Sequence, residues 1–231
     1  MIDVSTGDDI RTIRFARPER RNALTPAGLE QLERAVTGAE APVVLLGGRG
    51  DAFCAGADLD VVDELPSAPA AEAFAEHGQR VARAIETADA VTIAGIDGAA
   101  RGGGLELALA CDLRVGTPTA TLGEPGVTFG LFGAWGGTVR LPEICGLGPA
   151  MELALSGRVL DAEEALRVGL LSRIVDDPRT VAEELAENDP DALRILKRRL
   201  RDTADVRTRE RREARAFGEL ISNRVDEPTR S

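Results

Sequence analysis

The chain has 231 residues, 43% of them hydrophobic, and carries a formal net charge of −11 with a sequence pI near 4.8. That balance argues against a nucleic-acid partner, and no apolar run approaches the roughly 20 residues a membrane-spanning helix needs. The 3 cysteines, Cys54, Cys111 and Cys145, lack paired spacing and are expected as reduced core thiols.

Met1 is followed by Ile2, Asp3 and Val4 rather than by a basic segment and an apolar run, so no signal peptide is expected and the setting is expected to be cytoplasmic. The alternating segment Ile10 to Phe15 reads as a strand, followed by a polar turn at Pro18 to Arg21. A helix then opens with Thr25 as N-cap and Pro26 at N1, burying Leu29, Leu32 and Val36. The continuous apolar run Pro42 to Gly47 predicts a strand buried on both faces, hence a parallel sheet. A loop from Gly48 to Gly56 leads into a helix near Ala57, and a longer helix is expected over Ala71 to Ala88. Ala90 to Ile96 repeats the buried strand, Gly98 to Gly104 is a glycine-dense turn, Leu105 to Ala110 a helix, and Leu113 to Val115 a strand. Such strand, loop and helix units cross over right-handedly.

From Gly116 to Gly137 a long loop is expected. Helices then follow over Gly148 to Leu155, Asp161 to Val168, Pro178 to Glu187, Pro190 to Asp202 and Thr208 to about Val225. The basic residues are arginines except Lys197. An acidic, lysine-poor surface suits a high-salt cytoplasm, where screening removes self-repulsion, so a halophilic host is expected.

Two places share one construction, in which a buried strand ends, glycines turn the backbone and a helix begins. The first amides of a helix lack intrahelical partners and lie at the positive end of its dipole, so a carbonyl oxygen gaining negative charge is stabilised there. Ala57 and Gly103 occupy these sites, and convergence of the two loops would make an oxyanion hole. Glu106 falls in the first turn after the glycines, where a carboxylate either caps the helix or serves as an acid/base.

Phe53 to Leu59 followed by Gly98 to Asp112 closely resembles the two signature segments of the enoyl-CoA hydratase/isomerase (crotonase) family. Arg20 to Leu24, Gly136 to Leu141 and Ala165 to Val175 match further, so the resemblance runs over roughly residues 10 to 222. It implies an α/β, crotonase-like ββα spiral core over residues 1–175, with a C-terminal helical oligomerisation or lid region over 176–231. It implies homo-oligomers, trimers or dimers of trimers, and an acyl-CoA substrate with no cofactor besides the CoA that the substrate carries, and no metal. By the same resemblance the amides of Ala57 and Gly103 bind the thioester oxygen and stabilise an enolate, and Glu106 holds or activates water. The CoA would lie along Asn22, Ala23 and Leu24 and along Ala55 and Gly56, with Asp58, Leu59 and Gly102 beside it. Arg20 or Arg21 would meet its phosphates.

Three features depart from the family pattern. Where hydratases carry a second catalytic glutamate this chain has Gly126, and Glu124, across a proline turn, is expected to point elsewhere. Gly133-Ala134-Trp135 replaces the family's usual Pro-Gly-Ala, and Trp135, with Phe129 and Phe132 near in sequence, either narrows the acyl site or packs as core. After Val225 the further C-terminal helix that family members usually carry is not expected here. Malonyl-type decarboxylation, thioester hydrolysis and a CoA-binding paralogue without turnover therefore remain open beside hydration and isomerisation. No Gly-x-x-x-x-Gly-Lys or dinucleotide fingerprint appears, and the sole histidine, His77, reads as a surface residue, which argues against a histidine triad or metal site.

Overall fold

A computed structural model describes residues 1–7 and 9–226, with side chains to 223. The core is built from three successive turns of one unit, each contributing a strand to a large sheet and then a strand to a small one. In the first turn β3 (Val43–Gly48) is followed by β4 (Ala52–Cys54), the short helix α2 (Leu59–Asp63) and α3 (Ala68–Thr87). In the second, β5 (Val91–Ile96) is followed by β6 (Ala99–Arg101) and α4 (Gly103–Ala110). In the third, β7 (Leu113–Gly116) is followed by β8 (Thr121–Gly123) and a 3-10 turn (Pro125–Phe129). Two N-terminal strands, β1 (Ile2–Thr6) and β2 (Ile10–Phe15), precede these turns with α1 (Pro26–Thr37). After them come α5 (Gly137–Cys145), α6 (Leu147–Ser156), β9 (Val159–Asp161), α7 (Ala162–Arg167), β10 (Arg173–Ile174), α8 (Arg179–Ala186), α9 (Pro190–Leu200) and α10 (Val206–Asp226).

The large sheet has the order β1-β2-β3-β5-β7-β10 and is parallel apart from the β1/β2 pair. The small sheet has the order β4-β6-β8-β9, with only β9 antiparallel. Val43 to Leu46 and all of β5 are buried, as a strand covered on both faces requires. Phe15, Leu29, Leu32, Leu46, Phe53, Val81, Ile85 and Leu105 form the main core between the sheets, α1 and α3. A second cluster joins Val43, Leu45, Ile93 and Val115 of the sheet to Val181 and Ala182 of α8. Lys197 anchors α9, its buried ammonium 2.8 Å from Asp112 Oδ2 and donating to Ala90 O at 2.8 Å. Along α10, by contrast, most described side chains are exposed.

Between Gly116 and Gly137 the expected long loop holds β8 and the 3-10 turn, and the expected Gly98 to Gly104 turn holds β6. Both strands have three residues, too few for an alternation to register. Helix α5 contains Pro142, whose ring and missing N–H disguise a helical segment in the sequence.

Candidate active site

The two glycine-turned loops meet. A parallel bridge joins Leu24 to Ala57: the Leu24 N–H donates to Gly56 O (2.8 Å) and the Asp58 N–H to Leu24 O (2.9 Å). Gly56 has φ of +90°, and a Cβ on it would stand 2.8 Å from Gly103 N, so glycine lets this loop lie against the first residue of α4. Gly102, the N-cap, has φ 47° and ψ −125°, a conformation essentially confined to glycine. Among the described residues, neither the Ala57 N–H nor the Gly103 N–H donates a hydrogen bond within the chain. Two neighbouring free donors, one of them at the start of a buried helix, are chemically suited to an oxygen that gains negative charge.

Glu106, one turn into α4, is 1% exposed. Its Oε1 accepts from the Trp135 N–H (2.9 Å) and from the Gly137 N–H (2.5 Å), the latter at the start of α5. Burial pushes its pKa up, opposed by those two amides and by the charge of Arg140, and the net result is a raised value. Arg140 is held by Glu86 at 2.7 Å.

Glu124 overturns the expectation that it points elsewhere. It directly follows β8, which pairs with β6, and the Gly102 N–H donates to Gly123 O (3.1 Å), so the strand delivers Glu124 beside the α4 loop. The side chain is 6% exposed and, among the described residues, neither carboxylate oxygen has a hydrogen-bond partner. A Cβ on Gly133 would stand 2.9 Å from both Glu106 Oε1 and Glu124 Oε2, so the two carboxylates face one another across that glycine. Burial, and then the charge of Glu106, raise the Glu124 pKa well above the ordinary value. Glu124, Gly133 and Gly137 form the inner end of an apolar cavity of about 300 Å³, continued by Leu131, Leu141 and Met151.

Several of the other residues expected beside a ligand have side chains that hold the scaffold. Asn22, at φ 61° and buried, donates from Nδ2 to Arg49 O, Ala52 O and Phe53 O, while its Oδ1 accepts from the Arg17 N–H, so its side chain braces the loop. Asp58 is buried, caps α2 and binds Arg17 (2.5 Å) and Arg20 (3.1 Å). Its burial acts upward on the pKa, but the two guanidiniums outweigh it and hold the carboxyl below the ordinary range. Arg20 is thereby committed to Asp58 and Asp60, whereas Arg21 is exposed and, among the described residues, forms no ion pair. Burial and then the charge of Arg21 lower the pKa of Arg101, so the two cations lie near one another.

The side chains of Ala23 and Leu24 are buried, and Ala55 is half-buried with its N–H on Arg21 O. Leu59 is exposed. Phe132 is exposed at the cavity mouth. Gly126 is half-buried, and a Cβ there would stand 2.9 Å from Phe132 Cα. The Trp135 indole packs as core, 3% exposed and edge-on to Phe74 at 5.8 Å, pressed against Gly78 and Gly103. His77 is half-buried rather than at the surface. Among the described residues no group of three His, Cys, Asp or Glu is placed to hold a metal ion, and no helix is long and apolar enough to cross a membrane.

The sequence profile of the enoyl-CoA hydratase/isomerase family matches residues 5–225. A short-chain-enoyl-CoA hydratase of Clostridium acetobutylicum is 30% identical, with 92% of this chain and 86% of that protein covered. Among solved structures, an enoyl-CoA hydratase from Bacillus anthracis superposes with a TM-score of 0.90 at 32% identity, covering 96% of this chain and 91% of that one. A candidate enoyl-CoA hydratase from Thermobifida fusca, solved in complex with CoA, superposes with a TM-score of 0.89 at 29% identity, covering 98% and 95%.

Proposed function

The chain belongs to the enoyl-CoA hydratase/isomerase family, and on that premise we propose that it adds water to a 2-enoyl-CoA, or removes it, through a thioester enolate. The thioester oxygen is held by the amides of Ala57 and Gly103. The observation carrying this reading is that these two unpartnered N–H groups adjoin one another one turn before a buried carboxylate, Glu106. Each donor of such a hole contributes about 3–4 kcal/mol to the transition state. Glu106, fixed by two backbone amides, takes the proton of the attacking water.

The CoA bound to the Thermobifida fusca relative supports a CoA ester as the ligand. In this reading its chain runs over the backbone of residues 22–24 and 55–57, with its phosphates at Arg21. Assembly as a trimer or dimer of trimers belongs to the same proposal, and light scattering measures it. Incubation with crotonyl-, 3-enoyl-, methylmalonyl- and aromatic acyl-CoA esters, followed by mass spectrometry, tests the reaction. Gain of water on crotonyl-CoA is expected; loss of carbon dioxide, release of free CoA or no change on any ester contradicts it.

A further inference from the structure

We propose that Glu124 is the acid that protonates carbon 2 of the acyl group, and in the reverse direction the base that removes that proton, in place of the carboxylate missing at position 126. The inference rests on the thioester-enolate reading above.

The geometry carries it in three parts. Position 126 has no room for a side chain, because a Cβ there meets the backbone of Leu131 and Phe132. Glu124 is buried to 6% exposure with both oxygens unpartnered, an arrangement that costs stability unless something in the cavity uses them. Finally, Glu124 lines the cavity and faces Glu106 across Gly133, a residue that also lines it, so the two carboxylates approach one another at the cavity wall.

The surroundings divide the roles. Glu106 receives two backbone N–H donors and the field of Arg140, which favour its ionised form. Glu124 receives no donor and feels the negative charge of Glu106, which favours its neutral form. Two buried carboxyls in such contact are disposed to share one proton, held on the donor-free Glu124, so that one serves as the base and then the other as the acid.

The step balances without any co-reactant. Glu106 takes a proton from water as the water oxygen bonds to carbon 3. The carbon 2–carbon 3 π pair shifts toward carbon 1, and the carbonyl π pair moves onto the oxygen held at Ala57 and Gly103. The enolate then collapses as carbon 2 takes the proton of Glu124. Glu106 is left protonated and Glu124 ionised, and transfer of that proton across the Gly133 gap restores the starting state.

The test uses Glu124→Gln and Glu124→Asp in the full chain, with crotonyl-CoA hydration and deuterium uptake at carbon 2 of butyryl-CoA in D2O as separate readouts. Glu124→Gln is expected to bind butyryl-CoA with unchanged affinity and to lose a factor of about 10²–10⁴ in kcat. Glu124→Asp is expected to recover part of that loss. The fall of wild-type kcat/KM at high pH, where Glu124 gives up its proton, should vanish from the residual activity of Glu124→Gln. Hydration or exchange by Glu124→Gln within a few-fold of wild type overturns the proposal. If the wild type exchanges carbon 2 protons without hydrating crotonyl-CoA and Glu124→Gln does not exchange, the role of Glu124 stands and the hydration reading falls. If the wild type does neither, both fall.

Discussion

The indole of Trp135 fills the space that a side chain on Gly78 would need, its Cδ1 standing 2.1 Å from the ideal Cβ position. The other edge of the ring lies 2.3 Å from where a Cβ on Gly103 would stand, so one buried tryptophan packs both α3 and the start of α4. Gly78→Ala is expected to lower stability by about 1–3 kcal/mol through overpacking. Trp135→Ala is expected to lower it by about 3–5 kcal/mol through the cavity it leaves. Both should reduce kcat by displacing Gly103. Urea unfolding and steady-state kinetics on the two variants check this, and wild-type stability in either contradicts it.

Gly126→Glu restores a carboxylate at the position the family resemblance points to, yet no gain of activity is expected. The new Cβ would press on Phe132 Cα and on the carbonyl of Leu131, which are backbone and cannot rotate away. The expected outcome is a lower Tm and a lower kcat, measured by thermal unfolding and crotonyl-CoA turnover.

These cases mark where the sequence is readable. The buried runs of β3 and β5 and the strand, glycine, helix pattern at residues 53–59 and 98–112 each declare themselves locally. The direction of Glu124 does not, because it follows from the pairing of three-residue β8 with β6 and of Gly123 with Gly102, which no local pattern encodes. The half-buried Gly133 between the carboxylates and the Pro142-containing α5 that braces Glu106 were equally hidden. The scaffold bonds of Asn22 and Asp58 were hidden as well, because partners such as Ala52 for Asn22 and Arg17 for Asp58 lie 30 or more residues away in the sequence.

The neighbouring arginines should separate by function. Arg21→Ala is expected to raise KM for a CoA ester several-fold with kcat preserved, and to weaken the dependence of KM on salt. Arg20→Ala is expected to lower stability instead, since Arg20 helps hold buried Asp58. With the Asp58 pKa below its ordinary 3.8 in the folded state, that stabilisation is present above about pH 3.8 and is lost as pH falls through the folded value. Tm and KM measured on both variants across pH decide it; a KM effect from Arg20→Ala alone contradicts the assignment.

Glu124 also fixes the sign of a stability change. Its folded-state pKa lies above the ordinary 4.5, so between these values the folded chain holds a proton that the unfolded chain has released, and stability falls as pH rises through that window. Glu124→Gln removes this loss. Its Tm should therefore match or differ by a constant from wild type below about pH 4.5 and gain on wild type as pH rises, each ~1 kcal/mol appearing as about 2–4 °C. A difference independent of pH between 4 and 9 would show that Glu124 titrates normally.

The central claim is that the Ala57 and Gly103 amides hold a thioester oxygen, and the carbonyl stretch of a bound ester reports on that directly. Infrared difference spectra of butyryl-CoA labelled with carbon-13 at the carbonyl, free and bound at saturation, are expected to show the bound band shifted to lower frequency, because two donors at a helix N-terminus draw charge onto the oxygen. A saturated complex whose carbonyl band stays at the frequency of the free ester in water would contradict the account.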